Sequence, residues 1–179
     1  MKIWITRHGQ TDLNKNRIMQ GSINEPLNET GIAQAYEVKE KLQGISFDAV
    51  ISSPLIRAVK TASIIGDIPE SEVIKDRRLV EFRFGRFENM EYSKMGPAMI
   101  LYWILPELFP RPKTVESIPY AIKRIKSFLE DLKTKDYENV LIVCHGGIIR
   151  VLSGVLEGRK NNIKWRPKPH NCEVRTYEL

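Results

Sequence analysis

Cysteine is scarce in this sequence: Cys144 and Cys172 are the only two among 179 residues, and neither sits in a Cys-x-x-Cys pair. That argues against a disulfide framework and a thiolate zinc site, and both thiols are expected to be free and buried. Long apolar runs are also missing. The longest, around residues 99–105, falls far short of the ~20 residues a membrane-spanning helix requires, so no membrane partner is expected. The N-terminus offers one basic residue, Lys2, and then an apolar run too short for a secretory signal, which predicts a cytoplasmic protein. No low-complexity tract, linker or internal repeat interrupts the chain. With 42% hydrophobic and 28% charged residues its composition is that of a globular protein, and its length predicts a single domain over 1–179.

Charge is tilted but not segregated. Lys and Arg number 28 against 22 Asp and Glu, a formal +6, which suits an anionic metabolite, a nucleic acid or mere solubility. The basic residues are scattered, densest at Arg77-Arg78 and across 164–168, and no block of five like charges occurs. No nucleic-acid partner is therefore expected.

Apolar periodicity alternates between strand and helix. Residues 2–6 are rich in β-formers and run into a Gly-bearing turn. From Asn28, a good N-cap, Ile32, Ala35, Val38 and Leu42 recur at helical spacing until Gly44. Residues 49–52 read as a buried strand, and Ser53-Pro54 as the N-cap and first residue of a helix with Leu55, Ala58, Val59, Ala62 and Ile65 inward. Residues 72–75 form a weaker strand. After Thr114, Ile118, Ile122, Ile125, Phe128 or Leu129, and Leu132 give an amphipathic helix ending near Asp136. Residues 140–144 are continuously apolar, as a strand buried on both faces should be. A helix over 147–156 and a strand over 172–177 follow. This order predicts an α/β three-layer sandwich, its mostly parallel central sheet flanked by helices. Residues 89–113, dense in Met, Pro and aromatics, look like a small cap or lid insertion between Glu81 and His145, since Pro106, Pro110 and Pro112 prevent one long helix.

Ligands of open parallel sheets sit beyond the carboxyl ends of the strands, and three such ends carry chemistry. They are Arg7-His8-Gly9-Gln10-Thr11, Ser52-Ser53-Pro54-Leu55-Ile56-Arg57 and His145-Gly146-Gly147. Two histidines and two arginines would face one another across a crevice, the makings of an anion site with a nucleophile. Phosphate suits it, since Arg forks bind its oxygens bidentately and Arg57 falls in the first turn of a helix, where partial positive charge gathers. A neutral histidine can attack phosphorus and hand the phosphoryl group to water, and neighbouring cations would keep it neutral. The leaving alkoxide needs a proton from a carboxyl group. Glu81, between Val80 and Phe82, is the candidate, and Glu88 its rival. The third histidine, His170, reads as a surface or turn residue.

These motifs resemble the histidine phosphatase superfamily, in its phosphoglycerate mutase-like branch. Arg7-His8-Gly9-Gln10-Thr11 with Asn14 is similar to the opening block. Gly21 through Pro26-Leu27 to Gly31-Ile32-Ala33-Gln34-Ala35 is similar to the next, and Ser52-Ser53-Pro54-Leu55 with Arg57-Ala58 and Thr61-Ala62 to the third. Leu79, Glu81, Gly85 and Glu88 resemble the acid block, and His145-Gly146-Gly147 with Arg150 the closing one. The resemblance runs in family order over nearly the whole chain. It implies His8 as the phosphorylated nucleophile, Glu81 as proton donor, and Arg7, Asn14, Arg57, His145 and Gly146 as the phosphate-binding set. It also implies no cofactor and no metal.

Departures from the family pattern concern substrate rather than chemistry. Val115 replaces a frequent Gly, Asn89 stands where Gly commonly follows the acid-block Glu, and Asn24 and Asn28 replace a frequent Asp and Thr, which alters a turn and a helix cap. The stretch from Glu81 to His145 is shorter than in cofactor-dependent mutases, and a smaller cover admits water to a phosphohistidine. The expected activity is hydrolysis of a small-molecule phosphate monoester, by a monomer or homodimer. A phosphoglycerate mutase is the alternative enzyme, and a non-catalytic phosphate-binding or protein-interaction module the alternative of another class.

Overall fold

A computed structural model describes residues 1–106 and 108–179. Strands β1 (Lys2–Arg7), β2 (Ala49–Ser52), β3 (Ile74–Lys75), β4 (Asn139–Cys144) and β5 (Val174–Glu178) form one sheet in the order β3-β2-β4-β1-β5. The first four pair in parallel, and β5 closes one edge antiparallel to β1. The expected α/β sandwich is present, with shorter edges than the sequence predicts. β3 keeps only two residues, and β5 starts at Val174 rather than Cys172, whose φ of 56° turns the chain.

Each central strand divides its side chains between two layers with the two-residue period of a pleated strand. Val140, Ile142 and Cys144 join Ile3, Ile5 and Ile51 against helices α5 (Ile118–Lys133) and α6 (Gly146–Leu156). Leu141, Val143 and Val50 face the opposite layer, helices α2 (Glu29–Lys41) and α3 (Ile56–Gly66), and meet Ala35, Val38, Ala58, Val59 and Ala62. Strand β4 is apolar from Val140 to Cys144 because both of its faces are covered there. Both cysteines are free and buried. Burial pushes both thiols up, Cys172 to about 12, so neither is a thiolate near neutral pH.

Helix starts follow local hydrogen bonding, with one correction. Asn28 caps α2 as expected, accepting from the Gly31 N–H at 2.9 Å. The predicted Ser53-Pro54 start of α3 does not form: the helix begins at Ile56 behind Leu55, which has no side-chain cap. The reason lies in two longer-range bonds. Ser53 Oγ sits 2.8 Å from His145 Nε2, and Asn24 Oδ1 accepts from the Ile56 N–H at 2.8 Å. Asn24 is thus a helix cap supplied from another segment, not only a turn residue.

Residues 89–113 hold a single turn at Tyr92–Lys94 and helix α4 (Pro97–Ile104). Asn89 takes a left-handed φ of 65°, a conformation Asn tolerates better than most residues other than Gly, so it fills the place of the frequent glycine without changing the turn. Met95, Met99 and Tyr102 are buried, whereas Ile100, Leu101, Ile104 and Leu108 are exposed. Trp103 packs edge-on against Phe84 and Trp165, with ring centroids 4.9 and 5.2 Å apart. Among the described residues no helix is long and apolar enough to cross a membrane.

Candidate active site

Strand register assembles the site. Arg7 pairs with Cys144 and Ser52 with Val143, so His8, His145 and Ser53 leave the sheet side by side. Two backbone bonds extend the ladder past the strand ends: the His8 N–H to Cys144 O and the Ser53 N–H to Val143 O, both 3.0 Å. The His8 and His145 ring centroids are 5.1 Å apart.

The loop carrying His8 is held by backbone contact with the start of α2. A Cβ on Gly9 would lie 2.3 Å from Gly31 O, and one on Gly31 would lie 2.1 Å from Gln10 O. No side chain fits between them. Thr61 Oγ1 accepts from the Gly9 N–H at 3.0 Å and donates to Arg57 O at 2.7 Å, which ties the loop to the helix bearing Arg57.

The imidazole of His8, 3% exposed, has a defined tautomer. Its Nδ1 lies 2.7 Å from Gly9 O, and because a carbonyl only accepts, Nδ1 holds the proton and Nε2 carries the lone pair. Arg57 Nε donates to that Nε2 at 3.3 Å. Burial first, then the charges of Arg57 and Arg7, holds His8 well below the ordinary imidazole value. It is a neutral nitrogen base near neutral pH.

Arg57 is 1% exposed, with Nη2 donating to Gly21 O at 2.9 Å and Nη1 to Ile23 O. Desolvation lowers it to about 10, still cationic at pH 7. Arg7 donates through Nη1 to Pro169 O at 3.0 Å, while its buried Nε has no protein partner. His145 is fully buried behind His8 and does not itself line the cleft; the neighbouring Gly146 and Gly147 do. Burial, then Arg57 and His8, holds His145 well below the ordinary value. If Ser53 donates to its Nε2, the proton resides on Nδ1, an atom with no protein partner.

Glu81 lies at the N-terminus of α6, which has no side-chain cap of its own. Its Oε2 accepts from the Gly147 N–H at 3.0 Å and its Oε1 from the Phe82 N–H at 2.9 Å. Gly147 is required there, since a Cβ would approach Oε1 to 2.5 Å. Arg78 does not pair with Glu81; it pairs with Asp76 and Asp131. Glu88, the rival acid, binds the Phe84 N–H and Ser22 Oγ at 2.9 and 2.8 Å, fixing the acid loop from outside the cleft. His170 is exposed.

Arg7, His8, Asn14, Arg57, Glu81 and Gly146 all line one cleft enclosing about 50 Å³, a few times the ~10–15 Å³ a single water needs. Asn14 is oriented by Asn171, whose Nδ2 donates to Asn14 Oδ1 at 3.2 Å and to His8 O at 2.9 Å. Sequence reasoning did not assign Gln20, Tyr92, Trp103 or Lys168 to the site, nor a role to Arg150, although all line the cleft. Only Arg150 gave a signal, as the lone cation in the apolar run of α6. Among the described residues no three His, Cys, Asp or Glu gather as a metal-ligand set.

Known proteins resemble this chain over most of its length. Residues 3–179 match the family described as "Histidine phosphatase superfamily (branch 1)". The chain is 35% identical over 161 residues to "Putative phosphoserine phosphatase 2" of Hydrogenobacter thermophilus, covering 88% of this chain and 79% of that one. It is 29% identical to "Probable phosphoglycerate mutase GpmB" of Erwinia tasmaniensis, over 97% of this chain and 83% of that one. The alpha-ribazole phosphatase of Shigella flexneri superposes with a TM-score of 0.85 at 26% identity, covering 100% of this chain and 91% of that one.

Proposed function

The chain belongs to branch 1 of the histidine phosphatase superfamily, and on that premise we propose that it hydrolyses a small phosphate monoester through a phosphohistidine on His8. The observation that carries this reading is the Nε2 lone pair of His8, left free by the Nδ1 bond to Gly9 O and set against the Arg57 guanidinium. In the first step Nε2 forms a bond to phosphorus and the ester P–O bond breaks. Glu81 gives its proton to the departing alkoxide. In the second step water attacks phosphorus, the P–N bond breaks, and Glu81 takes the proton back. Arg7 Nε, Arg57 and the Gly146 backbone face the transferring oxygens, Asn14 flanks them, and His145, its ring 5.1 Å from that of His8, positions the nucleophile. The protein then forms one domain, with residues 89–113 as its cap.

Rapid quenching without acid after mixing with substrate is expected to trap phosphate on His8, and His8→Ala to lose both label and turnover. Label on another residue, or a His8→Ala protein that still turns over, would refute the covalent route. The identity to a mutase relative supports a second reading, phosphoglycerate isomerisation. Product analysis separates the two: inorganic phosphate means hydrolysis, an isomeric phosphoglycerate means transfer.

A further inference from the structure

Four cations, Arg7, Arg57, Arg150 and Lys168, line the cleft, and among its described lining residues Glu81 is the only carboxylate. A phosphate monoester dianion covers two of the three net positive charges. The balance is larger still while Glu81 holds the proton it donates. One cation therefore has no counterpart in the transferred phosphoryl group.

Arg150 is that cation. It sits in α6 and is 5% exposed, lodged against two indoles that meet edge-on, with its guanidinium carbon 4.4 Å from the Trp165 ring centre and 5.5 Å from that of Trp103. An indole attracts a cation through its ring quadrupole but offers no hydrogen-bond acceptor to the guanidinium N–H groups. Nε and Nη1 are both buried and neither has a protein partner. The pair of indoles is itself fixed. Trp165 Nε1 donates to Trp103 O at 2.9 Å, and the Lys164 N–H donates to Arg150 O at 2.7 Å. Gly154 lets residues 162–163 lie directly on α6, where a Cβ would come within 2.2 Å of the Ile163 backbone. Lys168 extends from the same C-terminal segment, its ammonium 5.9 Å above the Tyr92 ring. Arg150 remains a cation, lowered by burial only to about 10.

We infer that Arg150, with Lys168, binds a second anionic group on the leaving-group side of the substrate, so that the preferred esters carry a carboxylate or second phosphoryl group beyond the scissile bond. This rests on the hydrolase reading above and narrows its substrate class. Rigid, desolvated and unpaired, the Arg150 edge is preorganised for an anion, and an uncharged leaving group would leave its N–H groups without acceptors.

The test compares esters differing only in that group: 3-phosphoglycerate against glycerol 3-phosphate for the carboxylate, and propane-1,3-diol bisphosphate against its monophosphate for the phosphoryl. The wild-type protein should favour the doubly anionic member of at least one pair by about tenfold or more in kcat/KM, and the pair that responds identifies the group. Arg150→Met, which keeps an apolar stem against the indoles, should bring that ratio to within about twofold, mainly through KM, and Arg150→Lys should restore part of it. Lys168→Met, at an exposed position, should reduce the same ratio and carries the test if Arg150→Met does not fold by its melting curve. Ratios near one for the wild-type protein, or a ratio unmoved in the folded variants, would overturn the inference while nitrophenyl phosphate turnover keeps the hydrolase reading alive. If no ester, nitrophenyl phosphate included, releases phosphate, both readings fall.

Discussion

The floor of the cleft and the segment above it are built by opposite means. On the floor, His8 and Arg57, with His145 and Ser53 beside them outside the lining, are fixed by strand register and a chain of hydrogen bonds running from Gly9 through Thr61 to Arg57. Above it, residues 89–113 are held by aromatic edges and a few backbone bonds, with Met99 and Tyr102 buried and Ile100, Leu101 and Ile104 left to solvent. A ladder sets positions to a fraction of an ångström, as phosphoryl transfer demands. Apolar packing tolerates exchange of side chains of similar volume. On the reading proposed above, the difference teaches that reaction type resides in the strand ends, while the leaving group meets the residues this segment adds to the cleft, Tyr92 and Trp103.

If that division holds, the largest effects follow from floor substitutions. Glu81→Gln keeps volume and removes the transferable proton. It should slow phosphorylation by alkyl phosphates by ~10²–10⁴-fold, and much less by nitrophenyl phosphate, whose phenolate leaves unaided; single-turnover rates are the observable. Equal losses for both esters would assign Glu81 to holding the start of α6. Next, Arg57→Ala or Arg7→Ala should each cost about 10²–10³ in kcat, as removal of one transition-state charge stabiliser does, with little difference between the two esters. Activity should also survive EDTA, and recovery only on adding Mg²⁺ or Zn²⁺ would move charge neutralisation away from these arginines.

A smaller and different effect comes from pH. His8 and His145 are both held well below the ordinary imidazole value, first by burial. Below about pH 6.5 the unfolded chain therefore binds protons the folded chain does not. Stability is full above that pH and falls as pH drops toward the folded-state values, by up to about 1.4 kcal/mol per pH unit for each histidine. Urea midpoints at pH 7.5, 6.5 and 5.5 should fall, and His145→Gln should flatten the slope by about half. The smallest effect belongs above the cleft. Ile104→Lys, at an exposed position, should change stability by no more than ~0.5 kcal/mol, and a larger loss by urea titration would show that this apolar surface is covered in solution.

What the sequence disclosed follows the same division. Strand β4, the cap at Asn28 and the three motif-bearing strand ends were legible because their signals are local: a continuous apolar run, a side chain beside its own helix, a polar cluster after β-formers. The start of α3 was not, because Ser53 bonds to a histidine 92 positions away and Asn24 caps the helix from 32 positions off. Gln20, Tyr92 and Lys168 come from three segments with no shared period. Nothing short of the folded chain puts them around one cleft. Arg150 lies between the cases: its place in the closing motif was visible, but its two unpaired donors were not.

The buried arginines have a consequence beyond the reaction. Arg57, Arg7 and Arg150 are like charges withdrawn from water: Arg7 lowers the proton affinity of both Arg57 and Arg150, and Arg7 and Arg150 lower that of Lys168. Their repulsion is carried by the folded chain alone, since in the unfolded chain they are hydrated and apart. An anion that enters the cleft relieves it and binds only the folded form, adding RT ln(1 + [L]/Kd), about 2.7 kcal/mol at a hundred times Kd. Inorganic phosphate, the end product of hydrolysis, is such an anion. On the hydrolase reading the cleft thereby couples stability to product: phosphate well above its Kd should raise the melting temperature of the protein while it slows turnover.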